Sequence, residues 1–241
     1  MKNLVYLFLF LIVSCSYPKG SPAPALSDDS IISNAFAELR KYPTGIALLN
    51  QIDQLRNKGV NIETRLQRAA DLKALAGNTI SDSTVQSNSG QYYIMINEEL
   101  SSAAKAHALA HELTHVLDDV EIDEVFKYRS DVETIVAYTF QRMQAGETNN
   151  LNRAHVSYVI SSKFCAEARA FSSNQKLIRD GLSDEKMHSV ISQLATHIDA
   201  NYIQPLGTRF GANSQTMLNW CLTEASMTSI QNNLIYNYID Q

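Results

Sequence analysis

Two histidines four residues apart, His111 and His115, with Glu112 beside the first, form the run His111-Glu112-Leu113-Thr114-His115. On an α-helix such histidines project from one face a turn apart, and both imidazoles can reach a single Zn²⁺ at about 2 Å. A carboxylate next to a metal-activated water can take its proton as the water attacks a peptide carbonyl. It can later return that proton to the leaving amine, which makes Glu112 the candidate general base and then acid. The expected chemistry is hydrolysis of a protein or peptide with Zn²⁺ as cofactor.

Projected as a helix, Ala106, Leu109, Ala110, Leu113, Val116 and Leu117 gather on one side, and His107, His111, His115 and Asp118 on the other. One face is expected to anchor the helix and the other to work. His107 lies one turn too far from the same ion and reads as the rim of a cleft. Asp118 and Asp119 stand seven residues after His111 and four after His115. Either could accept the spare imidazole N–H and fix its tautomer, or the two are a solvated acidic pair at the helix end.

Catalytic zinc usually keeps three protein ligands, so a third is needed. Two carboxylates compete. Glu167 projects into the middle of the apolar stripe Val156, Ile160, Phe164 and Phe171, where an unpaired carboxylate is costly and a cation resolves the cost. Glu133 sits on the flank of its own stripe, Val132, Ile135, Val136, Phe140 and Met143, and reaches water unaided. Burial favours Glu167. A partner from elsewhere in the core is its alternative, with Arg169 on the wrong side of the helix. Tyr158 projects away from the Glu167 face, so no oxyanion-stabilising residue is identified.

These side chains need helices to carry them. Apolar spacing predicts helices behind the Ser/Asp start near residue 29, over Ile46 to Leu55 after Pro43 and Gly45, and from Ser101 to Asp119. Further helices are expected near 130–145, 153–175, 184–200 and 214–238. Val60 and Ile62 alternate with polar residues, and Tyr92 to Ile96 follow the turn-like Ser87-Asn88-Ser89-Gly90, so a small sheet is expected with a strand at 91–97. The predicted fold is α+β, a mainly helical domain over 29–241 with a small sheet beside the active-site helix.

Lys2 precedes the apolar stretch Leu4 to Val13, too short to span a bilayer and suited to a signal peptide over residues 1–14. Ile12-Val13-Ser14-Cys15 resembles the lipobox of bacterial lipoproteins, which implies lipid on Cys15 and, with Ser16 following, a place in the outer membrane of the cell envelope. Residues 15–28 hold three of the five prolines and read as a tether. In an oxidising compartment Cys165 and Cys221 either pair or stay as two buried thiols. A net charge of -5 without a basic run excludes nucleic acid as a partner and leaves a peptide substrate and, through lipid, the membrane.

The stretch Ala110-His111-Glu112-Leu113-Thr114-His115-Val116-Leu117-Asp118-Asp119 resembles the active-site helix of gluzincins, particularly secreted bacterial toxin and effector metalloproteases. Phe164-Cys165-Ala166-Glu167-Ala168-Arg169-Ala170-Phe171 resembles their glutamate helix, and Lys41 to Leu49 resembles the entry to some effector domains. The resemblance implies a zincin-like metallopeptidase domain, zinc on His111, His115 and Glu167, and substrate held in extended form on an edge strand, here 91–97. Two departures stand. The interval from His115 to Glu167 exceeds that of thermolysin-like members, and Phe171 occupies the place of their supporting carboxylate. A rival reading is a non-catalytic envelope lipoprotein, a binding or scaffold module with structural zinc or none. A second rival is a zinc-bearing toxin or effector that acts on one host or competitor protein instead of a housekeeping envelope peptidase.

Overall fold

The computed structural model describes residues 29–75, 82–88, 91–223 and 226–240. The expected signal peptide, Cys15 and the tether lie outside them. The chain is mainly helical with one three-stranded sheet, and its described residues divide between two compact units: residues up to 117 with 173–188, and 118–172 with 189–241.

In the first unit, α1 (Asp29–Leu39) and α2 (Pro43–Asn57) meet closely enough that a Cβ on Gly45 would stand 2.1 Å from the Leu39 carbonyl oxygen. Glycine is therefore required where the sequence showed only a helix break. Pro43 starts α2 without needing an N–H partner, and the free Thr44 N–H donates to Asp180 Oδ2 at 2.7 Å. Leu48, Leu49, Ile52 and Leu55 face inward, while Ile46, expected among them, faces solvent.

Strand β1 (Asn61–Gln67) leads to α3 (Ala69–Leu75), then β2 (Ser83–Asn88) and β3 (Gln91–Asn97). The sheet order is β1-β3-β2, with β1 parallel and β2 antiparallel to β3. Ile62, Leu66, Val85, Tyr92, Ile94 and Ile96 fill its core face, and Met95 is buried on the other. This corrects the expectation of 91–97 as the edge strand, because both flanks of β3 are already hydrogen-bonded. Strand β2 escaped prediction because Ser, Thr, Gln and Asn surround its one apolar residue, Val85.

Helix α4 spans Ser102–Phe126, a turn and more beyond the expected end at Asp119. Ser101 caps it, its hydroxyl accepting from Ala104 N at 3.2 Å. Helix α5 is Ser130–Gln144, with Val132, Val136, Phe140 and Met143 inward, and α6 is Arg153–Arg179.

The stretch expected as one helix over 184–200 is broken into α7 (Glu185–Ser192), α8 (Leu194–Ile198) and a π-helical turn, Asp199–Ile203. Pro205 and Gly207, at a left-handed φ of 79°, end it. The expected helix over 214–238 is likewise two, α9 (Ser214–Thr223) and α10 (Met227–Tyr238), because Ser226 is extended and its side chain accepts from Ser229 N as an N-cap. Buried Tyr158 of α6 bonds Gln231 of α10, whose amide donates to Ser162 at 2.6 Å. Among the described helices none is long and apolar enough to cross a membrane.

Cys165 of α6 and Cys221 of α9 form a disulfide, which settles the alternative left open by spacing. The bridge constrains the unfolded chain across a separation of 56 residues. Reduction should lower stability by about 2–4 kcal/mol. Denaturant unfolding with and without reductant measures this, and coincident curves would show that the bridge does not stabilise the fold.

Candidate metal centre

The functional side chains sit on helices buried all round. From Lys105 to Val116 every residue of α4 is buried, and so is every residue of α6 from Tyr158 to Ala168. The face of α4 expected to work is therefore enclosed along this stretch, and Leu117, assigned to the anchoring side, is half-exposed. Polar groups so placed must find partners.

His111 and His115 turn their Nε2 atoms toward each other at 3.1 Å, with rings edge-on. Two nitrogens bound to one tetrahedral zinc stand about 3.4 Å apart, so the pair is already near ligating geometry. His111, His115 and Glu167 each offer a ligand atom, and these atoms lie within 4.8 Å of one another. Two imidazole nitrogens and one carboxylate oxygen, all buried, are a donor set suited to zinc, and this group could bind a metal. Glu133 is not part of it. That residue lies beside Asp123, and burial, then the Asp123 charge, holds its carboxyl above the usual range.

Glu112 is buried, with Oε1 accepting from the Ser83 hydroxyl at 2.7 Å and Oε2 without a hydrogen-bond partner among the described residues. Ser83 opens β2, so the strand missed in sequence supplies the group that orients this carboxylate. No spacing rule could have signalled it. Thr114 donates to the Ala110 carbonyl at 2.8 Å and meets the Ser173 hydroxyl at 2.8 Å, which secures the motif's own turn.

Glu167 carries a second feature absent from the sequence reading. Lys163, one turn earlier on α6, donates to its Oε1 at 2.7 Å. Arg169, as expected, points elsewhere and donates to Asp118 Oδ1 at 2.9 Å. Asp118 and Asp119 are both buried within α4, well before its end at Phe126, so they are not a solvated terminal pair.

His107 is not a rim residue. It is buried, its Nε2 donating to the Leu182 carbonyl at 3.2 Å, because α4 is enclosed at this level too.

With this geometry in view, residues 69–149 match the IrrE N-terminal-like domain of the Peptidase_M78 family, a zincin-like metallopeptidase family. The match covers roughly a third of the chain and includes Ser83, His111, Glu112 and His115, but not Lys163 or Glu167. No curated protein and no solved structure matches.

Burial holds the His107 imidazole below its ordinary value, against the raising pull of the Leu182 carbonyl, Asn174 and Asp184. In the unfolded chain it takes a proton near pH 6.5, whereas the folded protein resists until lower pH. The unfolded state then binds more protons, so this contribution is complete above about pH 6.5 and is lost on acidification. The unfolding midpoint should fall below that pH, and His107→Gln should reduce the slope. An unchanged slope would mean that His107 does not set it.

Proposed function

We propose that the chain is a zinc-dependent endopeptidase in which His111, His115 and Glu167 hold the ion and Glu112 is general base and then acid. The observation that carries this reading is the convergence of two histidine Nε2 atoms and one buried carboxylate, with Glu112 oriented by Ser83 one residue from the first histidine. The match of residues 69–149 to a metallopeptidase family supports it.

When bound, zinc would lower the pKa of a water molecule and polarise the peptide carbonyl. The protein's residues supply the rest. The Ser83 hydroxyl holds Oε1 of Glu112, which leaves Oε2 to accept the proton of the attacking water and deliver it to the departing amine nitrogen. The closed surroundings of α4 exclude bulk water and strengthen each polar contact. Asp118 and Asp119 are assigned a supporting role behind the ligand imidazoles, with Arg169 holding Asp118 in place.

We further assign the protein to the cell envelope, exported and lipid-anchored through Cys15, with a protein or peptide as substrate. The Cys165–Cys221 bridge supports export, since disulfides persist in oxidising compartments. The rival, a non-catalytic envelope module, is favoured by one observation: Lys163 of the same helix meets the charge of Glu167.

Glu112→Gln should cut peptide hydrolysis by about 10²–10⁴-fold while zinc content, measured by elemental analysis, stays at the parent level. Ser83→Ala, which removes one bond to a charged group, should cost roughly tenfold. Full activity in Glu112→Gln would exclude this mechanism. Freshly purified, folded parent that takes up no zinc even when it is supplied would transfer the case to the non-catalytic module.

A further inference from the structure

Lys163 and Glu167 form an ion pair 2.7 Å long, with side chains only 6% and 2% exposed. The Lys163 ammonium also lies 5.2 Å from the centre of the Tyr202 ring. Tyr202 stands on the π-helical turn Asp199–Ile203, which is anchored because both carboxylate oxygens of Asp199 accept backbone N–H groups, from Phe210 at 2.7 Å and Gly211 at 2.8 Å. The ammonium is thus held between a carboxylate and an electron-rich ring face. Lysine is rarely buried this deeply unless paired, and these two partners compensate the ammonium.

This placement has a direct consequence for metal binding. The negative charge of Glu167 is already met by a cation supplied from the same helix, so a dication that uses Glu167 must share it with an ammonium. We propose that Lys163 is the resident counter-cation of the metal centre, keeping the metal-free protein folded and holding zinc affinity down, so that zinc is exchangeable. The proposal rests on the reading of His111, His115 and Glu167 as ligands. It predicts a sign. If Lys163 merely oriented the carboxylate, its loss would weaken zinc binding, as loss of an orienting partner does by about 10–100-fold. If the ammonium competes with the ion, its loss strengthens binding.

The test compares the metal-stripped parent with Lys163→Met and Lys163→Arg. Zinc affinity is read by competition with a chromophoric chelator, and unfolding by circular dichroism with and without zinc. The stripped parent should keep a cooperative transition, and Lys163→Arg should keep the parent affinity. Lys163→Met should bind zinc more tightly, by roughly 10–100-fold, and its metal-free midpoint should drop. Folding of Lys163→Met only in the presence of zinc would also support the proposal, because the ion then replaces the ammonium. Should it fold in neither condition, Lys163→Gln, which keeps a hydrogen bond without the charge, is judged by the same criteria. Equal or weaker zinc binding in the neutral variant, or unfolding of the parent on stripping, would overturn the proposal. Zinc binding to none of the proteins would overturn both this proposal and the metal reading beneath it.

Discussion

A buried carboxylate must be compensated by a hydrogen-bond donor or a cation, and Glu167 has the Lys163 ammonium. Moving either charge alone out of water is expensive, and an uncompensated partner left behind destabilises a fold by about 3–5 kcal/mol. The surrounding elements answer to that pair. Tyr202 lies against the ammonium, the π-helical turn that carries Tyr202 is secured by Asp199, and Cys165, two residues before Glu167, is bridged to α9.

The same constraint recurs wherever α4 and α6 are buried on all sides. An amphipathic helix can leave polar side chains to water, but these helices cannot along their central turns. Asp118 is held by Arg169, Ser162 by Gln231, Glu112 by Ser83, and the His107 ring by the Leu182 carbonyl. Each bond fixes a rotamer that solvent would have left free. The centre proposed to hold one ion and position one base would benefit from that rigidity.

The span similar to a metallopeptidase family covers the histidines, the glutamate between them and Ser83, and stops before α6. Glu167 lies outside that span and is joined to the two histidines by geometry, with Lys163 beside it. Burial of Glu167 in an apolar stripe pointed to a cation in sequence, but a metal is not the only cation that meets the demand. The ammonium one turn away meets it as well, and in the proposed centre zinc must share Glu167 with that ammonium.

The amino-acid sequence determined what is local. Four-residue spacing placed His111 and His115 on one helical face, apolar periodicity located α4, α5 and α6, and the β-branched and aromatic run located β3. Helix ends past position 184 were not legible, because Ser226 and Pro205 act locally against a longer apolar rhythm. Tertiary structure alone decided that β3 is central, that Ser83 reaches Glu112, and that the face of α4 bearing His107 and Asp118 is enclosed. Periodicity reports which side of a helix is apolar, not whether the polar side will also be covered. A polar strand such as β2 leaves no periodic trace, and a contact across 29 residues leaves none at all. The Lys163–Glu167 pair lay at helical spacing in plain view, yet only burial of both side chains made it a constraint rather than a solvated surface pair worth little.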